Sequence, residues 1–291
     1  MSATSAAAAQ EDRRVKHLLL RRFMRNRVAV VGACIIIVFV LFVLIGPLVY
    51  RTNQTVTDLA SANLPPSLDH ILGTDAVGHD ELGRLMYGGA ISLTVGLSAG
   101  ILATILGVLW GAIAGYVGGI VESAMMRLVD AGIAIPALFL LLVISAIVTP
   151  NVVGLILIIG FTSWLVPSRL LHAETLHLKE ADSIATLRAF GGSHGRAIGH
   201  HILPNAMSTI VVAATFQVAD AILLIAYVSY LGLGVQPPQI DWGGMLSSGL
   251  TSMYSGRWWL ILPPGLSIIL VVFACNAVGD GLRDAFEVRG R

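Results

Sequence analysis

Six runs of mostly apolar residues, at 28–49, 91–116, 131–148, 152–166, 207–231 and 258–278, decide what this chain can fold into. A bilayer core is about 30 Å thick, and a helix needs about 20 apolar residues to cross it. Four runs exceed that length, and the third, at 131–148, comes close to it. The fourth is shorter and is bracketed by Pro150 and Pro167. Composition agrees, with 56% of residues hydrophobic and only 12% charged, half the charge of an ordinary soluble domain. The expectation is an all-α integral membrane protein with six transmembrane helices. Arginines precede the first run as in a signal peptide, but the run is too long for one and no A-x-A site follows. It is expected to be retained.

Charge placement orients the spans. With the N-terminus inside, the inner segments hold 15 of the 18 Lys and Arg residues, and only Arg51, Arg84 and Arg257 lie outside. Cytoplasmic segments of membrane proteins carry such an excess, so both termini are expected in the cytoplasm. Residues 1–27 read as a basic cytoplasmic tail. Residues 28–90 read as the first span with a long extracytoplasmic loop, and 91–291 as a core of five spans with a polar cytoplasmic loop at about 169–205. Glycines 96, 100, 107, 111 and 115 share one face of the second span. Such a strip lets another helix approach closely, within the chain or in a partner subunit.

Several chemistries are excluded or weak. The two cysteines, Cys34 and Cys275, both fall in expected spans, where a small buried hydrophobe is the ordinary role. No metal-ligand spacing or H-E-x-x-H pattern occurs, and His194, His200 and His201 read as loop histidines. No cofactor, metal or nucleic acid is expected. "GGSHG" at 191–195 matches the serine-hydrolase elbow literally, but that elbow needs a strand before it and an α/β sheet around it. Lys16 and Lys179 are the only lysines, and neither follows glycine, so the chain has no P-loop to hold ATP. Active transport would draw on an ion gradient or another polypeptide. In the fifth span Asp220 is the ionisable group that stands out, with Gln217 one turn before it. A proton relay, a polar path lining and a helix–helix hydrogen bond all remain open for the pair.

The polar stretch "LRAFGGSHGRAIGHHILPN" interrupts this apolar chain at 187–205. It resembles the EAA loop of ABC-importer permeases, E-A-A-x3-G-x9-I-x-L-P. Pro204 and Leu203 match, His201 takes the Ile position, and Gly191 lies at the motif's glycine, with Gly192 completing the break. Ala185, Thr186 and Leu187 stand where the motif has its glutamate and alanine pair, and Arg188 follows. "LGTDAVGHDELGRLMYGGAISL", "YLGLGVQPPQIDWGGML" and "CNAVGDGLRDAF" are similar to further segments of the dipeptide/oligopeptide/nickel type of permease, in its shorter sister subunit. The resemblance implies a type I ABC-importer permease fold, one N-terminal helix plus a five-helix core. It implies no catalysis by this chain itself. It also implies three kinds of partner: a sister permease, ATP-binding cassette ATPases, and an extracytoplasmic peptide-binding protein. The setting would be the plasma membrane of a prokaryote and the cargo peptides, oligopeptides preferred. Residues 185–188, 191, 192, 201, 203 and 204 would couple to the ATPase, and Gln217 and Asp220 would line the path. An ion-coupled carrier or channel using Asp220 is the alternative.

Overall fold

The computed structural model describes residues 18–54, 56–180 and 193–287, and among these the regular elements are all helical. Four helices are long and apolar enough to cross a membrane, and the number rises to six if each of two bent pairs is one span.

Helix α1 (Arg27–Val49) contains the first run. The Asn26 side chain accepts from the Val28 and Ala29 N–H groups, two of the donors that a helix start leaves without partners. Helix α2 (Glu81–Val117) starts well before the expected residue 91. Glu81 and Arg84 hide this extension from a hydropathy scan. Asp80 marks it, its carboxylate accepting from the Gly83 N–H at 2.8 Å.

The third and fourth runs are not straight helices. Helix α3 (Gly119–Ile133) meets α4 (Ala137–Val148) at 77°, because a proline, here Pro136, pushes the residue before it out of the helical region. Helix α5 (Val152–Ser163) meets α6 (Leu165–Leu178) at 43°, and Pro167 has no N–H to give to the Ser163 carbonyl one turn back. Helices α4 and α5 are each 12 residues, about 18 Å long and too short for a bilayer core of about 30 Å. They can cross one only as parts of bent pairs.

Three helical stretches then run together as α7: His194–Ala197, a π-helical turn Ile198–Ile202, and Leu203–Asn205. Ala206 alone separates α7 from α8 (Met207–Tyr230), so the fifth span begins just after Pro204 and not at it. A short helix α9 (Trp242–Leu250) and the long α10 (Leu262–Glu287) complete the chain.

Helix α2 is the hub, packing on α5, α6 and α8, while α10 lies against α8 and α1. The expected glycine strip is used inside the chain. A Cβ on Gly100 would stand 2.8 Å from the Val218 backbone in α8, and one on Gly111 would collide with the Ser168 carbonyl oxygen in α6. The end of the bundle where α1 begins and α10 finishes is joined by Asn26 Nδ2 donating to Asp284 Oδ2. This is called the terminal end. At the opposite, loop end, Asp241 accepts from Ser229 Oγ and from the Gly243 and Gly244 N–H groups. Beside it the fully buried Trp242 donates from its ring to the Leu85 carbonyl of α2. Tyr50 Oη also donates to Asp80 there at 2.7 Å, and burial together with this carboxylate pushes the tyrosine pKa up to about 12. Of the cysteines, Cys275 is buried as expected, but Cys34 is exposed on α1.

If the α2–α6 approach sets the fold, Gly111→Leu forces the backbones apart, at a cost of about 1–3 kcal/mol or more for overpacking. Gly199→Ala in α7, where a Cβ meets nothing within 4 Å, serves as the control. The Leu variant should show a clearly lowered thermal unfolding midpoint in detergent and the Ala control should not. Equal midpoints would remove this contact from the stabilising set.

Candidate functional site

Two features use the polar residues singled out in the sequence, one at the terminal end and one in the middle of the bundle. Ala185, Thr186, Leu187, Arg188, Gly191 and Gly192 lie outside the described residues. The segments that flank them on both sides are described, and they converge on one place.

That place is the last turn of α2. Lys179 follows α6 and its ammonium donates to the Gly115 carbonyl at 3.0 Å. A cation is favourable there, because the final carbonyls of a helix have no partners and carry its negative dipole end. From the other side α7 brings His194 edge-on to the Tyr116 ring, with centroids 5.5 Å apart. Ala197 and Ile202 pack with Tyr116 in a small core that Leu178 also joins. Leu203 packs with Leu178 in a second cluster, around Val108, Leu171 and Ala206. His201 is half-buried, and Pro204 is exposed. Of the three described motif residues, Leu203 therefore serves as an apolar anchor, and Pro204 faces outward from the bundle.

Helix α6 is itself braced against α3. His172 Nε2 lies 2.7 Å from Glu122 Oε1, and both side chains are mostly buried. Arg169 also meets Asp130, but those side chains are 52% and 54% exposed, and an exposed pair of this kind contributes little. Displacement of the segment between Lys179 and His194 would thus be felt at the end of α2 and along α6. Lys179 and Tyr116 were missed in the sequence reading. The rarity of lysine in this chain was the available signal.

The second feature is a cavity of about 330 Å³ at the level of both helix bends. Gly132 and Pro136 from the α3–α4 bend line it, with Thr162 and Ser163 from the α5–α6 bend and Gln217 and Asp220 from α8. The structure places the expected pair on one cavity but in different surroundings. Gln217 is buried, and its Nε2 donates to the Ser163 carbonyl at 2.8 Å. That carbonyl is the one Pro167 cannot serve, so the glutamine supplies the missing hydrogen bond across helices. Asp220 is exposed to the cavity, and its carboxylate has no hydrogen-bond partner among the described residues. Gln217 stabilises the bend, and Asp220 is the polar group left facing the open space. No group of three or more His, Cys, Asp or Glu residues suited to a metal occurs among the described residues.

The family of binding-protein-dependent transport system inner membrane components matches residues 107–291, which include both features. The N-terminal TM domain of oligopeptide transport permease C matches residues 17–66. The oligopeptide transport system permease protein OppC of Escherichia coli (strain K12) is 39% identical over 273 residues, covering 93% of this chain and 90% of that protein. The dipeptide transport system permease protein DppC of Bacillus subtilis (strain 168) is 35% identical over 271 residues, covering 93% and 85%. The OppC protein of the same Bacillus strain is 36% identical over 270 residues, covering 93% and 88%. With a family match over more than half its length and relatives of this identity along nearly all of it, the chain belongs to the binding-protein-dependent transport system inner membrane components.

Proposed function

We propose that this chain is the shorter of two permease subunits of an ATP-driven importer, and that with its sister permease it forms the path by which peptides, oligopeptides by preference, enter a prokaryotic cell. In this reading α3–α4 and α5–α6 are one bent span each, which makes six spans in the plasma membrane with both termini inside. The basic tail lies against anionic lipid headgroups. An extracytoplasmic binding protein delivers cargo at the loop end, and cassette ATPases dock at the terminal end. ATP hydrolysis belongs to those partners, since this chain has no phosphate-binding loop.

The observation that carries the reading is the convergence of Lys179, His194, Ala197, Ile202 and Leu203 on the last turn of α2. An ATPase groove that grips residues 180–204 thereby grips the hub helix. Helix α2 packs on α5 and α8, which line the central cavity. A pull at the loop then shifts the helices around the path as packed bodies, the usual form of such transitions.

Topology is tested by single cysteines at Ser2, Gly192 and Gln239, in a background without Cys34 and Cys275, labelled from outside whole cells. Only the Gln239 site should react. Reaction at Gly192 would overturn the six-span orientation.

For coupling, Gly191→Trp and Ala185→Arg place bulk, and in the second case charge, in the docking segment. Both should leave an inserted permease that pairs with its sister subunit but loses ATPase association or peptide-stimulated ATP hydrolysis. Ala185→Glu should be tolerated. Unchanged uptake and unchanged ATPase binding in both disruptive variants would refute the coupling role.

The free carboxylate of Asp220 separates a path lining from a proton relay. Asp220→Asn keeps size and polarity, so uptake should fall about two- to threefold, a loss of under 1 kcal/mol, and stay strictly ATP-dependent. Uptake driven by a pH gradient without ATP, and abolished by this substitution, would favour an ion-coupled carrier.

A further inference from the structure

A larger cavity, about 790 Å³, opens at the loop end between the start of α2 and the 229–252 segment. Four titratable side chains at the start of α2 and in the loop before it line it: Asp75, His79, Glu81 and Arg84. Arg84 Nη1 is 3.0 Å from Asp75 Oδ2 and 2.7 Å from His79 Nδ1. Asp75 Oδ2 also lies 3.1 Å from His79 Nδ1, but arginine can only donate and makes the shorter contact, so Nδ1 accepts from it, and the guanidinium charge is neutralised by Asp75. His79 Nε2 is then left buried with no partner. Glu81 is 3% exposed, and its carboxyl group forms no hydrogen bond or ion pair among the described residues. A buried carboxylate without a partner is costly. The positive end of the α2 dipole, beside which it sits as the first helical residue, offsets only part of that cost.

The cavity therefore holds one buried carboxyl group without a side-chain partner and one unpartnered imidazole nitrogen two residues away. We propose that it binds a cationic group of the cargo through Glu81, with His79 Nε2–H hydrogen-bonding an adjacent carbonyl. The amino-terminal residue of a peptide offers both, an ammonium beside a carbonyl oxygen. A lysine or arginine side chain offers the charge alone. The assignment rests on the peptide-importer reading, which puts this end of the bundle on the side where cargo arrives. Glu81 then has a use that a purely structural helix start would not give it, to select the end of the peptide that enters first.

The test uses the assembled transporter with its binding protein in liposomes and three probes: trialanine, N-acetyl-trialanine, and N-acetyl-Ala-Ala-Lys. Because the binding protein is the same throughout, its own preferences cancel in the ratio of KM between variant and wild type. Glu81→Gln should raise KM for trialanine about tenfold, the scale of a lost hydrogen bond to a charged group. It should leave N-acetyl-trialanine within about twofold, and Glu81→Asp should restore trialanine to near the wild-type KM. A raised KM for the acetylated lysine peptide would identify side-chain cations as a second source of the bound charge. In the wild-type transporter, carbodiimide labelling of Glu81, read by mass spectrometry, should fall with trialanine and not with its acetylated form. This keeps the proposal testable if the Gln variant fails to assemble. Equal KM ratios for all three peptides, or labelling that trialanine does not reduce, overturn the site while leaving the importer reading intact. Absence of ATP-dependent uptake of any peptide by the wild type overturns the importer reading, and this site with it.

Discussion

The contact between the backbones of α2 and α6 is the constraint on which the other arrangements depend. Between helices in lipid no hydrophobic force operates, and close van der Waals packing has to hold them together. Three glycines of α2, at 107, 111 and 115, let α6 approach until side chains larger than hydrogen no longer fit. Once α6 lies there, Lys179 reaches the Gly115 carbonyl, and Leu171 and Leu178 form the clusters on which α7 rests. Glycines 96 and 100 do the same for α8, which brings Gln217 to the orphaned Ser163 carbonyl. The hub, the seat of α7 and the central cavity thus follow from the same strip of missing side chains.

Prolines shape what glycines assemble. Pro136 and Pro167 each bend a pair of helices, and in a low-dielectric interior the freed backbone groups need partners. Gln217 satisfies one of them, and the two bends together open the cavity into which Asp220 faces. A polar residue in a span can therefore serve the backbone of its neighbour, as Gln217 does while it also lines the cavity.

Much of this was legible in the sequence. The apolar runs located four helices well because length and hydropathy report directly on a bilayer. The glycine spacing of four reported a helix face, although the sequence alone could not say that the partner was in the same chain. Boundaries were less legible. Residues 81–90 were read as loop because Glu81 and Arg84 interrupt the apolar pattern, when burial beneath Trp242 and capping by Asp80 make them helix. The third and fourth runs were read as single helices, since a hydropathy scan does not register direction and the prolines turn the chain without breaking the apolar pattern. Gln217 and Asp220 looked alike in sequence because only a tertiary neighbour, the Ser163 carbonyl, distinguishes them. The contact of Lys179 was not legible because its partner is a main-chain oxygen 64 positions away.

The glycine strip has a consequence for how the protein is made. Helix α2 leaves the ribosome before α6 and α8, and its backbone hydrogen bonds close as soon as it enters lipid, since nothing there competes for them. Its grooves, however, stay unfilled until the later helices arrive. Through that interval the newly inserted helix presents to the bilayer a bare face suited to any small-residue helix nearby. The order of synthesis therefore leaves the hub temporarily adhesive. Its correct partners prevail because they belong to the same chain, so their local concentration exceeds that of any stranger in the membrane.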